Sequence, residues 1–365
     1  MKKIIFFILM CNNAFGQSFQ QELDSLLAAK YSSNQAGIAV LILHHNKEIY
    51  KKGFGLANIE TKAPITAQTN FRMASVSKQF TAMCIMLLEK QNKLSYEDNL
   101  LKFFPDFDKT VGSKIKIKHL LTHTSGILDY EELIPANQKE QLSDADVVNF
   151  LKNQSKTYFE AGSTFQYSNS GFCLLEQIVE RASKMSFVEF IESHIFKPLG
   201  MKSTKIFETN VDIPNRAMGY ARNEKGELIF SDQSITSATK GDGCIYTSLE
   251  DYSKWHNSLI NNKLINLNSE LIKINHKIEG TKNVRYGLGW FHSYNASNQL
   301  ELYHTGSTCG FSNAVNFVPQ KGFLLVSFSN IADNHLIEKS IRVLLKKYNL
   351  DDSAIDFAKM LELTR

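Results

Sequence analysis

Hydrophobic residues form short strand-like runs near both ends of the chain, whereas in the middle they recur every three or four positions. Residues 37–55 contain two strand-like runs joined by the turn-prone pair His45-Asn46, and residues 18–30 have the spacing of a short amphipathic helix. Four strand-like runs return late in the chain: RYGLGWFH at 285–292, LELYHTG at 300–306, NAVNFVP at 313–319 and GFLLVSFSN at 322–330. The pattern therefore predicts that both ends of the chain contribute β-strands.

Helical spacing dominates the segment between these two groups of strands. Its clearest stretches are residues 75–91, 144–154, 171–183 and 187–195. A last amphipathic helix is predicted over about 335–347. Strands at both ends with helices between them predict an α/β fold, in which one sheet is built from both ends of the chain and a helical region is inserted in the middle.

The domain organisation follows from the continuity of this pattern, which contains no internal repeat, low-complexity segment or flexible linker. We expect one domain over residues 17–348, with its sheet drawn from about 30–74 and 284–330 and its helical region from about 75–230. Residues 349–365 form a polar tail with one weak helical stretch.

Composition and charge exclude several classes of protein. Hydrophobic residues make up 43% and charged residues 21% of the 365 positions, so the chain can bury a substantial core and is not a disordered protein. There are 41 Lys and Arg against 37 Asp and Glu, and Lys2 and Lys3 belong to a predicted leader. The remaining excess of positive charge is too small to indicate a nucleic acid or an anionic membrane as a partner.

The leader is the stretch MKKIIFFILMCNNAFGQS, in which two lysines precede a short apolar run and Ala14-Phe15-Gly16 supplies small residues for cleavage. It predicts a secretory signal peptide over residues 1–16 and a secreted or periplasmic protein. The apolar run is far shorter than the roughly 18 residues that a membrane-spanning helix needs. Acylation of Cys11 as a lipoprotein is the alternative, although Met10 is larger than the residue that usually precedes a lipidated cysteine.

Cysteine and histidine spacing gives little support for disulfides or metal ions. Four cysteines follow the leader: Cys84, Cys173, Cys244 and Cys309. Their even number and the predicted export permit disulfides, but the first two lie on apolar helical faces, where a buried free thiol is more typical. His119 and His123 have the i, i+4 spacing that can bind zinc, but no third ligand is nearby. We therefore expect no metal and no cofactor.

The candidate chemistry begins with Ser75 and Lys78, a Ser-x-x-Lys pair at the start of a predicted helix. That helix continues with a hydrophobic stripe of Val76, Phe80, Met83, Cys84, Leu87 and Leu88. A helix N-terminus stabilises developing negative charge, and a lysine one turn from a serine can act as its base. The alternative is an ordinary N-cap serine with a solvated lysine. The same spacing recurs at two other places, Ser113/Lys116 and Ser237/Lys240.

Two further motifs lie elsewhere in the chain. Tyr167-Ser168-Asn169 stands directly before a predicted helix and is the only Tyr-x-Asn in the sequence. Its alternative role is a helix cap beside a packed tyrosine. His304-Thr305-Gly306 ends a strand-like run, where its glycine permits a close backbone approach. Its alternative role is a simple strand end followed by a turn.

With these three motifs in this order, the sequence resembles the penicillin-recognising serine hydrolases, and most closely the class C β-lactamase group. The resemblance runs from about residue 30 to 330 and includes four supporting stretches: IKHLLTHTSGI (117–127), FKPLGMKST (196–204), GDGCIYTSLEDYSKW (241–255) and YGLGW (286–290). It implies a β-lactamase/transpeptidase-like fold, with an antiparallel sheet flanked by helices and an inserted all-helical region. The catalytic cleft would lie between these two parts.

The resemblance also implies a role for each motif residue. Ser75 would be the nucleophile, with Lys78 and Tyr167 moving the proton. Asn169 would orient the lysine and contact the substrate amide. His304, Thr305, Gly306 and Ser307 would bind the substrate, and the oxyanion would be held by the backbone N–H groups of Ser75 and Ser307.

The expected function is therefore that of an exported serine hydrolase that forms an acyl-enzyme on Ser75 and hydrolyses an amide or ester. The alternatives are a carboxylesterase of the same fold and a penicillin-binding module with slow turnover. The expected partner is a small-molecule or peptide substrate, with no nucleic acid and no membrane span, and we expect a monomer.

His304 is the main departure from the family pattern, because many β-lactamases have a lysine there that helps to hold a substrate carboxylate. A histidine with a pKa near the ordinary value of about 6.5 is mostly neutral at pH 7 and attracts a carboxylate less. We therefore expect weak turnover of penicillins and better turnover of uncharged esters or small D-amino-acid amides. For carboxylate-bearing substrates, kcat/KM should then improve as the pH falls toward 6.

Overall fold

The computed structural model describes residues 18–209, 211–294, 297–351, 353, 355, 362 and 363. Its helices are α1 (18–30), α2 (Lys78–Lys90), α3 (Lys109–Gly112), α4 (Ile117–Leu121), α5 (Asp144–Leu151), α6 (Asn169–Ser183), α7 (Phe187–Ile191), α8 (Lys197–Leu199), α9 (Lys240–Gly243), α10 (Leu249–Ile260), α11 (Leu267–Lys273) and α12 (Leu336–Lys347). The predicted leader, with Cys11, lies outside the described residues.

The strands are β1 (Ile38–His44), β2 (Lys47–Phe54), β3 (Leu56–Asn58), β4 (Ala63–Pro64), β5 (Phe71–Arg72), β6 (Lys205–Ile206), β7 (Tyr220–Arg222), β8 (Leu228–Phe230), β9 (Ile245–Thr247), β10 (His276–Lys277), β11 (Arg285–Gly287), β12 (Trp290–Tyr294), β13 (Leu300–Thr308), β14 (Phe311–Val318) and β15 (Phe323–Ser329). Eight of them form one sheet in the order β10-β11-β12-β13-β14-β15-β1-β2.

All neighbouring strands in this sheet are antiparallel. Strand β1 lies between its sequence neighbour β2 and β15 from the far end of the chain, with Val40 opposite both Lys52 and Ser327. The prediction that both chain ends build one sheet is therefore confirmed. The remaining strands form three small sheets: β3 with β4, β5 with β9 and β6, and β7 with β8.

The sheet is covered on both faces, which explains why β1 is an almost continuous apolar run. Val40 and Ile42 pack in a cluster with Leu23 of α1 and Ile341 of α12. Alternate residues of the same strand, such as Ala39, face a second and larger cluster formed with the helical region. A strand buried on both faces has no solvent side that would favour polar residues.

One predicted strand, RYGLGWFH, is in fact a tight hairpin, and the prediction of a single strand was wrong. Gly287 pairs with Trp290 across the two-residue turn Leu288-Gly289, and both turn residues have positive φ angles of 55° and 79°. The turn lies against α2, because a Cβ on Gly289 would stand 2.7 Å from the backbone of Gln79. The sequence did not indicate this hairpin, because Leu288 stands where a two-residue hairpin turn usually has Asn or Asp.

The helices of the middle region follow the predicted stretches, with changes at their ends. The predicted helix at 75–91 begins only at Lys78 and is preceded by a 3₁₀ turn, Ala74–Ser77. The helix predicted at 187–195 is divided into α7 and a π-helical turn, Glu192–Phe196. Helix α2 is buried on all sides from Lys78 to Leu88, which places it at the centre of the helical region.

Two findings bear on the cysteines and on membrane association. Cys84, Cys173 and Cys244 are buried free thiols, and Cys309 is a partly exposed free thiol. Among the residues that the structure describes, no helix has both the length and the apolar character needed to cross a membrane.

Candidate active site

Ser75 lies in the 3₁₀ turn that leads into α2, and a backbone hydrogen bond fixes the entry to this turn. The N–H of Met73 donates to the carbonyl of Ile245 at 2.8 Å. Ala74, directly before the serine, has a φ of +48°, which is rare for a residue with a side chain. Such a backbone conformation costs on the order of 1–3 kcal/mol and is typical of functional sites. The turn therefore holds the serine in a strained, fixed position.

Lys78 is fully buried, and its ammonium nitrogen contacts three oxygen atoms. The distances from Nζ are 3.0 Å to Ser75 Oγ, 2.9 Å to Asn169 Oδ1 and 3.1 Å to the backbone carbonyl of Asp242. The last two atoms can only accept hydrogen bonds, whereas a hydroxyl can also donate. The three oxygens match the three N–H donors of a lysine side chain. The arrangement therefore holds Nζ in a fixed position within hydrogen-bond reach of the Ser75 hydroxyl.

The other two Ser-x-x-Lys copies do not show this contact. Lys116 Nζ forms an ion pair with Glu97 at 2.7 Å, and Lys240 Nζ forms one with Glu208 at 2.9 Å. All three copies lie within the described residues, and among them Ser75/Lys78 is the pair whose serine and lysine form a hydrogen bond with each other. Tertiary structure thus distinguishes copies that look alike by spacing alone.

Tyr167 and Asn169 lie at the start of α6. The N-cap of this helix is Ser168, whose Oγ accepts from the N–H of Gly171 at 3.2 Å. The Tyr167 ring packs against His123 with 4.3 Å between ring centroids, and Lys78 Nζ lies 5.0 Å from the centre of the same ring. The Tyr167 hydroxyl oxygen is buried and has no hydrogen-bond partner among the described residues. Buried hydroxyls are almost always bonded, so this one is available to a substrate or a water.

The third motif comes into the site because β13 passes directly over the turn that carries Ser75. A Cβ on Gly306 would stand only 2.2 Å from the carbonyl oxygen of Met73, so only glycine allows this approach. Thr305 is buried, whereas the side chain of Ser307 is exposed and its Oγ lies 2.7 Å from Nε2 of His335. The glycine therefore brings the Ser307 end of the strand close to the turn that carries Ser75.

His304 differs from what the sequence led us to expect. Its side chain is 0% exposed, Nδ1 lies 2.6 Å from the carbonyl oxygen of Thr305, and Nε2 lies 3.2 Å from the hydroxyl of Tyr286. Nδ1 must donate to the carbonyl, so Nε2 accepts from the tyrosine, and both ring nitrogens are used within the protein. Burial lowers the pKa of His304 to about 3, and the nearby charge of Lys78 acts in the same direction. The assumed pKa near 6.5 was wrong, because a ring enclosed by aromatic side chains cannot be solvated when charged.

This correction changes the predicted pH dependence of substrate choice. A base with a lowered pKa of about 3 is neutral throughout the range from pH 6 to 8, so His304 gains no positive charge as the pH falls. The ratio of kcat/KM for a carboxylate-bearing ester to kcat/KM for a matched neutral ester should therefore stay constant within about twofold. Steady-state kinetics across this range test the expectation. A rise of about tenfold toward pH 6 would contradict it.

Sequence analysis missed two groups that complete the site. Asp242 contributes only a backbone carbonyl, which carries no sequence signal. His123 was considered only as a possible zinc ligand, but its ring packs against Tyr167, and its Nδ1 accepts from the N–H of Ser168 at 3.1 Å. Nδ1 of His119 likewise accepts a backbone N–H, from Lys116 at 3.2 Å. Within the described part of the chain, no group of three or more His, Cys, Asp or Glu residues is placed to hold a metal ion.

Comparisons with known proteins agree with this geometry. Residues 19–347 match the family model described as Beta-lactamase. Penicillin-binding protein 4* of Bacillus subtilis (strain 168) is 28% identical over 340 residues, which cover 89% of this chain and 75% of that protein. Protein flp of Staphylococcus aureus (strain MW2) is 25% identical over 335 residues, which cover 87% of this chain and 64% of its own length.

A solved structure is also similar over most of the chain. The octameric penicillin-binding protein homologue from Pyrococcus abyssi superimposes with a TM-score of 0.76 at 25% identity, over 90% of this chain and 77% of the other. The antiparallel sheet with flanking helices is thus the β-lactamase/transpeptidase-like fold that the sequence predicted. Since the family model covers nearly the whole described domain, the chain belongs to the β-lactamase family of serine hydrolases.

Proposed function

We propose that this protein hydrolyses an amide or ester bond through an acyl-enzyme formed on Ser75. The observation that carries the proposal is the buried Lys78 side chain, whose Nζ lies 3.0 Å from Ser75 Oγ and is held in place by two further oxygen acceptors. A serine hydroxyl becomes a useful nucleophile only when a base lies within hydrogen-bond reach. Lys78 meets that condition.

Acylation would begin when Lys78 takes the hydroxyl proton and Ser75 Oγ bonds to the substrate carbonyl carbon. The carbonyl oxygen becomes an oxyanion, which we assign to the backbone N–H groups of Ser75 and Ser307. As the intermediate collapses, the bond to the leaving group breaks and Tyr167 donates its hydroxyl proton to the leaving nitrogen or oxygen. Tyr167 regains a proton from Lys78, which returns the lysine to its neutral form.

Deacylation would follow the same path with water as the nucleophile. Water gives a proton to the Tyr167–Lys78 pair and its oxygen attacks the ester carbonyl. The bond to Ser75 Oγ then breaks, the serine recovers the proton and the carboxylic acid leaves. The partnerless hydroxyl of Tyr167 supports this assignment, because it has no competing bond among the described residues.

We infer that carboxylate-bearing substrates such as penicillins are turned over weakly. His304 stands where many family members have a lysine, and it is buried and neutral. A positive charge at contact distance is worth roughly 1–4 kcal/mol to a bound carboxylate, depending on the local dielectric. Without this attraction, uncharged esters and small D-amino-acid amides are the better substrates. A carboxylesterase and a slow penicillin-binding module remain the alternative functions.

Export and oligomeric state belong to the same proposal. The predicted signal peptide favours a secreted or periplasmic enzyme, with lipidation at Cys11 as the alternative. We expect a monomer, although the similar protein from Pyrococcus abyssi is described as octameric.

Three classes of substrate test the proposed function. They are nitrocefin, two D-amino-acid substrates (a D-Ala-D-Ala peptide and a small D-amino-acid amide), and p-nitrophenyl acetate. We expect kcat/KM for the neutral ester and the amide to exceed that for nitrocefin by at least about tenfold. Nitrocefin turnover equal to or faster than ester turnover would reject the substrate inference. If none of these substrates is hydrolysed and no covalent adduct forms on Ser75, the proposed acyl-enzyme mechanism is rejected.

A further inference from the structure

We propose that Asp144 is a positioning residue for Lys78, because its carboxylate fixes the short helix α9, whose third residue, Asp242, holds the lysine with its backbone carbonyl. This inference rests on the proposed function, in which Lys78 is the base for Ser75. It adds to that function a residue that acts through the backbone of α9 and not on the reacting atoms. None of the three sequence motifs contains Asp144.

Asp144 is the first residue of α5, and its carboxylate is hydrogen-bonded to a distant segment of the chain. Its Oδ2 accepts from the N–H of Lys240 at 2.6 Å, and its Oδ1 accepts from the N–H of Gly241 at 3.0 Å. The residue is only 3% exposed, and burying a carboxylate is unfavourable unless hydrogen bonds replace its lost hydration. These two hydrogen bonds therefore tie α5 to the first two N–H groups of α9.

Helix α9 comprises only four residues, Lys240–Gly243, so its conformation depends on contacts from outside. A single helical turn has too few internal hydrogen bonds to offset the entropy lost on ordering it. The side chain of its own N-cap residue, Thr239, forms no capping hydrogen bond. Asp144 thus supplies the acceptors that an N-cap side chain normally provides to the first N–H groups of a helix.

Two further contacts hold the same turn through Gly241, the residue directly before Asp242. Its carbonyl accepts from Thr81 Oγ1 at 2.7 Å, and Thr81 lies on α2 one helical turn after Lys78. A Cβ on Gly241 would stand 2.1 Å from the carbonyl oxygen of Phe172 in α6, so the glycine allows a close backbone approach. The turn is therefore fixed to α2, α5 and α6 at once.

The position of the Asp242 carbonyl matters because it is one of three oxygen atoms around Lys78 Nζ. That carbonyl lies 3.1 Å from Nζ, Asn169 Oδ1 lies at 2.9 Å, and Ser75 Oγ lies at 3.0 Å. Lysine has a flexible four-carbon stem, so its nitrogen is fixed only while its acceptors are fixed. Proton transfer requires the base to stay within hydrogen-bond reach of the serine. Loss of the Asp144 contacts should therefore slow the chemical step more than it weakens substrate binding.

The test measures how fast a fluorophosphonate modifies Ser75, with the rate taken per labelled site so that unfolded molecules do not count. Asp144→Asn keeps the size of the side chain but places an NH₂ group where one N–H needs an acceptor. We expect the maximal rate at saturating reagent to fall at least about tenfold, and the half-saturating concentration to change less than about threefold. Thr81→Val removes the other hydrogen bond to the turn and should give a smaller loss of the same kind. The double variant should lose less than the product of the two single losses, because both act through α9.

Two controls on α5 separate this effect from a general loss of stability. Asp146→Asn removes a carboxylate whose Oδ2 accepts from the N–H of Ser143, the N-cap of α5, at 2.9 Å. Val148→Ala removes buried apolar volume from the same helix and should lower the thermal unfolding midpoint. Both controls should keep the maximal rate of modification within about twofold of the unmodified protein.

The outcomes separate this inference from the proposed function. If Ser75 is labelled in the unmodified protein and Asp144→Asn reacts at the same maximal rate, the positioning role is rejected. An equal loss in Val148→Ala rejects it as well, and losses that simply multiply in the double variant reject the shared route through α9. If Asp144→Asn does not fold, an unchanged rate in Thr81→Val rejects the role of the turn. If the unmodified protein is not labelled on Ser75 and does not hydrolyse p-nitrophenyl acetate, the proposed function itself fails.

Discussion

Replacing Ser75 with alanine should reduce kcat/KM for p-nitrophenyl acetate by at least about 10,000-fold, because the substitution removes the atom to which the acyl group is bonded. The free energy of unfolding should change little, because Ser75 is partly exposed and its Oγ forms a hydrogen bond with Lys78 Nζ alone among the described side chains. Peptide mass mapping after treatment with a fluorophosphonate should place the adduct on Ser75 in the unmodified protein.

The other Ser-x-x-Lys copies provide matched controls. Ser113 is exposed at the end of α3, and its lysine pairs with Glu97. Ser113→Ala should therefore keep full activity and full labelling. An adduct on Ser113 or Ser237, or near-normal turnover by Ser75→Ala, would show that the nucleophile has been misassigned.

Removing Lys78 or Tyr167, the two groups that we propose transfer protons, should cost at least about 100-fold in kcat/KM. Tyr167→Phe is the cleaner change, because the lost hydroxyl has no hydrogen-bond partner among the described residues and the ring packing is retained. Lys78→Met keeps most of the side-chain volume but leaves Asn169 Oδ1 and the Asp242 carbonyl without their donor. It should therefore also lower the free energy of unfolding by a few kcal/mol.

Stability and activity must be measured together for these variants. Thermal unfolding of Tyr167→Phe should match that of the unmodified protein, so a large loss of activity can be assigned to the chemistry. Lys116→Ala removes the exposed lysine of another copy and should have no kinetic effect. Near-normal rates in a folded Lys78→Met protein would remove the lysine from the mechanism.

Much of the fold could be predicted because it depends on local patterns. Short strand-like apolar runs placed the strands at both chain ends, and three- to four-residue spacing placed the central helices. The hairpin at Leu288-Gly289 was missed because its turn begins with an apolar leucine and not with the Asn or Asp that usually marks a two-residue hairpin turn. The burial of α2 on every side was missed as well, because the predicted stripe suggested a helix with one solvent face.

The sequence alone determined the candidate motifs and their order, because Ser-x-x-Lys, Tyr-x-Asn and His-Thr-Gly are short contiguous signals. Spacing did not distinguish the three Ser-x-x-Lys copies, and the sequence favoured Ser75 because its copy opens an amphipathic helix. The contacts of each lysine with atoms from distant segments were visible only in the tertiary structure. Lys78 contacts Asn169, 91 positions away, and the carbonyl of Asp242, 164 positions away. The same holds for His304, whose charge is set by the rings that enclose it. Burial and long-range contacts arise only when separate segments pack together, so the electrostatics of the site were decided by the tertiary structure.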